Sequence, residues 1–103
     1  MWVRVARFEG GTAEGLDAEM AQSKQHLADA ETAGLPAGLE GVTRVLEAIN
    51  RTEGTGVALV FCESEEDMRK ADQALNDMSP SSEAAGRRVS VGMYEVMTDQ
   101  ELR

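Results

Sequence analysis

The chain has 103 residues, of which 42% are apolar and 28% charged, with a formal net charge of −9. This length predicts one domain spanning residues 1–103, and the composition is that of a folded globular protein rather than a disordered chain. The acidic balance repels phosphate groups, which argues against nucleic acid or an anionic membrane as a partner.

The cysteine count and the N-terminal sequence indicate the cellular compartment in which the protein is expected. Cys62 is the only cysteine, so an internal disulfide is excluded, and a lone thiol is typical of a reducing compartment. The N-terminus lacks the apolar core and cleavage site of a signal peptide, and no apolar run reaches membrane length. A cytoplasmic location is therefore expected.

The first half of the chain predicts a strand followed by a long helix. Residues Trp2 to Glu9 alternate with bulky side chains in both sets, which predicts a strand covered on both faces. Gly10-Gly11 ends this strand, and Thr12 is the predicted N-cap of a helix from Ala13 to Ala33. One face of that helix carries an apolar stripe formed by Leu16, Met20, Leu27 and Ala30.

The middle of the chain predicts a β-hairpin. A strand from Gly41 to Arg51 alternates imperfectly, which indicates a bulge or an edge position. The glycine-rich segment 52–56 forms the turn. The following run from Val57 to Cys62 is continuously apolar, as expected of a central strand.

A second helix and a last strand complete the pattern. Ser64, with an acid three residues later, predicts a capped helix start, and an apolar stripe follows from Met68. Ser79-Pro80 interrupts the helix and predicts a further turn, capped by Ser79, that continues to Ala85 and is closed by Gly86. Arg87 to Met97 is predicted as the final strand.

The order strand, helix, strand, strand, helix, strand predicts the α+β class. It is the ferredoxin-like βαββαβ arrangement, a four-stranded antiparallel sheet with both helices on one face. The apolar second face of the sheet then needs a cover, and a second copy of the chain is the simplest one. We therefore expect a homodimer in which two sheets pack face to face as a dimeric α/β barrel.

The sequence resembles small actinobacterial proteins of the dimeric α/β-barrel superfamily, a group that includes proteins similar to antibiotic biosynthesis monooxygenases. The resemblance is carried by segment 3–10, by Glu63-Ser64-Glu65-Glu66 after an apolar strand, and by segment 89–96. Close relatives often place a tryptophan where this chain has Cys62. The resemblance covers nearly the whole chain in element order.

The resemblance implies a range of activities. Some members oxidise polycyclic aromatic substrates without a metal or organic cofactor, some degrade haem, and others isomerise or dehydrate small molecules. Monooxygenase-type members tend to use an asparagine and a tryptophan from a helix. Here the second helix offers Asn76 but no tryptophan, since the only tryptophan is Trp2. No cofactor or metal site is expected from the sequence itself.

Three residues are candidates for chemistry, each with a structural alternative. His26 is the only histidine and hence a proton carrier near neutral pH, or a structural side chain at the margin of the helix stripe. Arg4 could orient a polar group in a cavity or pair with an acid. Tyr94 could donate a hydrogen bond. Cys62 lacks a neighbouring base and is expected to be an inert core thiol.

A ligand cavity walled by apolar side chains is the predicted site. Its predicted lining residues are Trp2, Arg4, Phe8, Phe61, Met93 and Tyr94. The alternative is that these side chains form ordinary core or a dimer interface. Two functions follow. One is a cofactor-independent monooxygenase-like enzyme acting on a small apolar or aromatic molecule. The other is a non-catalytic ligand-binding or structural homodimer.

Overall fold

A computed structural model describes residues 1–78 and 83–103. The strands are β1 (Trp2–Glu9), β2 (Val42–Asn50), β3 (Thr55–Cys62) and β4 (Arg87–Glu95). The helices are α1 (Ala13–Ala33) and α2 (Glu65–Asn76), with a short 3-10 helix at Glu83–Ala85. The strands form one antiparallel sheet in the order β2-β3-β1-β4, which confirms the ferredoxin-like α+β prediction.

Both helix starts follow from their capping residues. The Thr12 hydroxyl accepts a hydrogen bond from the Gly15 amide at 3.0 Å, and the Ser64 hydroxyl accepts one from the Asp67 amide at 3.1 Å. These bonds satisfy amides that the first helical turn leaves without a partner. Helix α1 ends before Gly34, whose φ of 84° few other residues adopt. The predicted caps and helix end are thereby confirmed.

The strands differ from their predicted bounds at their ends. Strand β3 begins at Thr55 because Thr55 already pairs with Asn50 across the hairpin. Strand β4 ends at Glu95, since Glu95 pairs with Trp2, where β1 begins. Strand β2 lies at the edge of the sheet and shifts its register between Val42 and Arg44. The imperfect alternation of β2 thus reflects both a bulge and an edge position, the two causes that the sequence predicted. The turn predicted at Ser79-Pro80 begins outside the described residues.

The main core lies beneath α2. Its buried members are Leu39, Val60, Cys62, Met68 and Ala71. Met68 and Ala71 lie one turn apart on the apolar face of α2, so both reach the sheet. The start of α1 packs elsewhere, because the Thr12 amide donates to the Ala84 carbonyl at 2.8 Å. The sheet beneath α2 is thus covered by tightly packed side chains.

Helix α1 is held mainly at its N-terminal end. Within this helix only Gly15 and Leu16 are buried. A Cβ at Gly15 would overlap the backbone of Ala84, so the glycine permits the close approach of α1 to the 3-10 helix. The rest of the helix passes over the sheet without burying another side chain. This arrangement leaves space between α1 and the sheet.

Candidate functional site

A cavity of about 260 Å³ lies between α1 and the sheet. Its walls are mostly apolar and come from all four strands, α1, the end of α2 and the loop that follows α1. Helix α1 contributes one face, formed by Leu16, Glu19, Met20, Ser23, His26 and Leu27. This face includes Leu16, Met20 and Leu27 of the apolar stripe that the sequence predicted on α1. A concave, mainly apolar space with a few polar groups is the usual form of a small-molecule site.

Small residues create the floor of the cavity. Ala6 of β1 pairs with Ala58 of β3, and Ala58 pairs in turn with Glu47 of β2. In the neighbouring row Phe8 pairs with Gly56. Paired residues of adjacent strands point to the same side of a sheet. The two alanines therefore leave room above the middle of the sheet, with Glu47 at one end of their row.

Glu47 is the carboxylate that β2 directs into this cavity. Its side chain is half-buried among apolar walls. Desolvation by burial raises the pKa of Glu47, a hydrogen bond from the Ser23 hydroxyl partly offsets this, and the negative charge of Glu19 raises the pKa further. Ionised Glu47 is thus less favourable here than in water. A cationic or hydrogen-bonding group of a ligand would relieve that cost.

The two arginines that line the cavity are already engaged. Arg4 is 3% exposed, and its Nε donates to Asp72 Oδ1 at 2.9 Å while its Nη2 donates to Asn76 Oδ1 at 2.8 Å. Arg88 donates to the Leu75 carbonyl at 3.2 Å and the Asn76 carbonyl at 3.1 Å. A cation at the end of a helix also complements its dipole. Both guanidinium groups therefore fasten α2 to the sheet.

The structure separates the predicted site residues between the two faces of the sheet. Arg4 and Phe8 of β1 and His26 of α1 line the cavity. Trp2 and Met93 take the same side of the sheet as Arg4, and Trp2 packs against the core under α2. Phe61 and Tyr94 pair with Val3 and point to the opposite side. Arg4 and Tyr94 are therefore not brought together.

Sequence reasoning missed the polar end of the cavity. Glu47 and Ser23 were not among the predicted site residues, although both line the cavity and hydrogen-bond to each other. A signal was present, because Glu47 alternates in phase with Val45 and Ile49 on an otherwise apolar strand face. A charged residue in the middle of a buried strand face requires an explanation.

The opposite face of the sheet is apolar at its centre and carries neither helix. Its central side chains are Val3, Val5, Leu59 and Phe61, with Leu46 and Tyr94 toward the edges. Tyr94 is 58% exposed. Arg44 lies over the Phe61 ring, with 5.4 Å between its guanidinium carbon and the ring centre. We call this side the open face.

Cys62 lies in the core rather than in the cavity. It is fully buried, and burial raises the pKa of its thiol, with the negative charge of Asp67 adding to the effect. The sulfur is therefore protonated at neutral pH. Among the described residues, no group of three or more histidine, cysteine, aspartate or glutamate side chains could hold a metal ion, and no helix is long and apolar enough to span a membrane.

Comparisons with known proteins define the fold class. No family model and no curated protein sequence matches the chain. Among solved structures, one protein matches over 95% of this chain and 94% of its own, with a TM-score of 0.60 and 14% identity. That protein is a variant of SnoaB, a cofactor-independent oxygenase from Streptomyces nogalater. At this identity the likeness shows the fold, which is the one that the family resemblance implies.

Proposed function

We propose that the protein binds a small, largely apolar aromatic molecule in the cavity under α1 and oxidises it with molecular oxygen, without a metal or organic cofactor. The cavity itself carries this proposal, because its alanine floor and apolar walls suit a flat ring. The fold shared with a cofactor-independent oxygenase supports the reaction class. The volume of about 260 Å³ suits a ligand of one or two rings.

Oxygen consumption with 2-naphthol as the probe tests both parts of the proposal. We expect saturable binding and oxygen uptake above the rate without protein. Ala58→Phe places a ring on the cavity floor and should abolish both. Ala18→Phe is the matched control, since Ala18 is exposed on α1 and should leave binding unchanged. Binding that survives Ala58→Phe, with that variant folded, would contradict the cavity assignment.

A non-catalytic binding protein is the second candidate. One observation favours it: Arg4, a predicted catalytic residue, already forms hydrogen bonds with Asp72 and Asn76. A donor engaged in this way has little capacity left for a substrate. The same experiment separates the two functions, because naphthol binding without oxygen uptake supports the binding protein.

We further propose that the protein is a cytoplasmic homodimer joined through the open face. An apolar sheet face of this kind is rarely left uncovered in a monomer, and the lone cysteine suits a reducing compartment. The cover would be the same face of a second copy, as in closed two-fold dimers. Native mass spectrometry of the untagged, gently purified protein should show a dimer, and extra mass would identify a retained ligand. A monomer at micromolar concentration would contradict the dimer.

A further inference from the structure

The charges around the cavity are unevenly distributed. Glu47 and Glu19 line it from the side of β2 and α1. Arg88 lines it from β4, at the opposite edge of the sheet. Strands are spaced by about 4.8 Å, so the two edges lie roughly 14 Å apart. A ligand group near Glu47 therefore lies much closer to this carboxylate than to the Arg88 guanidinium.

The positive groups cannot offset this charge at the Glu47 end. Arg4 forms a salt bridge with Asp72, and Arg88 donates to two backbone carbonyls of α2. His26 is the third basic group on the cavity wall, and its side chain is exposed on α1. Ser23 meets Glu47 with a hydroxyl, which donates a hydrogen bond but carries no charge. At this end of the cavity the half-buried Glu47 carboxylate therefore lies in mostly apolar surroundings, with the Ser23 hydroxyl as a hydrogen-bond partner.

We propose that the cavity selects a ligand with a protonated amine, which pairs with the Glu47 carboxylate while the apolar body of the ligand lies over Ala58 and Ala6. This inference rests on the proposed binding of a small apolar molecule and specifies its class. An ammonium group supplies a positive charge, together with hydrogen-bond donors beyond the one that the Ser23 hydroxyl already gives to Glu47. A carboxylate ligand would meet repulsion at the same position.

Three probes of one shape test the inference. They are 1-naphthylmethylamine, 1-naphthalenemethanol and 1-naphthoate, and their affinities are measured by calorimetry at neutral pH. We expect the amine to bind at least about tenfold more tightly than the alcohol, because a charge-assisted hydrogen bond is about twice as strong as a neutral one. The acid should bind most weakly. An amine that binds no better than the alcohol would overturn the inference.

Glu47→Gln removes the charge while keeping the shape of the side chain. In this variant the amine and the alcohol should bind within about twofold of each other, with the affinity for the alcohol unchanged. Glu53→Gln, in the exposed turn after β2, controls for the loss of one negative charge. An amine preference that persists in Glu47→Gln would show that another group provides it, which overturns the assignment.

Binding of 1-naphthalenemethanol distinguishes a failure of the amine preference from a failure of the proposed ligand binding. If the alcohol binds and the amine has no advantage, the cavity is a ligand site and only the charge selection fails. If none of the three probes binds, the proposed function itself fails, together with this inference. Lower pH should weaken binding of the amine but not of the alcohol, because protonation removes the negative charge of Glu47.

Discussion

Arg4 of β1 and Asp72 of α2 form a salt bridge of 2.9 Å between the sheet and the helix. The guanidinium is 3% exposed and also donates to the Asn76 side chain at 2.8 Å. Both Arg4 bonds reach across the interface beneath α2, so the arginine fixes the position of that helix. This pairing places Arg4 in the structural framework of the cavity wall.

Removal of Asp72 should destabilise the fold. In Asp72→Ala the Arg4 charge stays buried without its partner, and breaking a buried pair in this way costs about 3–5 kcal/mol. Because Asp72 is 21% exposed, we expect a loss near the lower end of that range in urea unfolding. Glu66→Ala, at an exposed pair on the same helix, should cost far less. Equal losses in the two variants would contradict the structural role of Arg4.

A charge on the open face should separate dimerisation from folding. Phe61→Asp replaces an apolar ring in the middle of the proposed dimer interface with a carboxylate, which would have to lose its water when the two sheets meet. We expect a folded monomer in analytical ultracentrifugation with a preserved circular dichroism spectrum. Gln73→Asp, on the exposed side of α2, should remain dimeric. A dimer that is unchanged in Phe61→Asp would show that the open face is not the interface.

The Cys62 thiol should be unreactive in the folded protein. Burial and the negative charge of Asp67 raise its pKa, so little thiolate forms at neutral pH. Reaction with a disulfide reagent should become fast only above the urea midpoint of unfolding. A fast reaction in native buffer would mean that the strand end containing Cys62 opens readily, and the core beneath α2 would then be wrongly described.

Glu47 should reduce the stability of the empty protein at neutral pH. Its raised folded-state pKa means that the folded protein binds this proton more tightly than the unfolded chain does. Its stabilising contribution is therefore complete below the ordinary carboxyl pKa and is lost as the pH rises through the raised value. Glu47→Gln should melt higher than the native protein at neutral pH, and the difference should shrink toward pH 4.

Charged groups from several elements surround Glu47, so the melting experiment needs a control for the loss of one negative charge. Glu19 and His26 face it from α1, and Arg4 and Arg88 lie on the more distant walls. Glu53→Gln, in the exposed turn, should not change the melting temperature in this pH-dependent way. A native protein that is more stable than Glu47→Gln at neutral pH would indicate that Glu47 is already compensated by these neighbours.

Local patterns were enough to predict the fold. Thr12 and Ser64 mark helix starts because a capping hydroxyl acts within one turn. The continuous apolar run ending at Cys62 identifies an interior strand, and β3 does lie between β2 and β1 in the sheet. The element order then leaves few arrangements of a single sheet. Each of these signals depends on neighbouring residues in the chain.

The site could be predicted only in part, because it depends on relationships between distant segments. Arg4 and Phe8 share a strand face by simple alternation, and both line the cavity. Tyr94 shares the face of Val3 rather than that of Arg4, a consequence of the β1–β4 register. A register is set by pairing across the sheet and is not visible in one strand. For the same reason, Glu47 meets Ser23 only in the folded chain.

Nuclear Overhauser contacts between bound 1-naphthalenemethanol and the protein methyl groups test the central claim most directly. If the cavity under α1 is the ligand site, the naphthalene protons should contact the methyls of Met20, Ala58 and Val60, which line it. They should show no contacts with Val5 or Leu59 on the open face. Contacts confined to Val5 and Leu59 would contradict the account and move the binding site to the opposite side of the sheet.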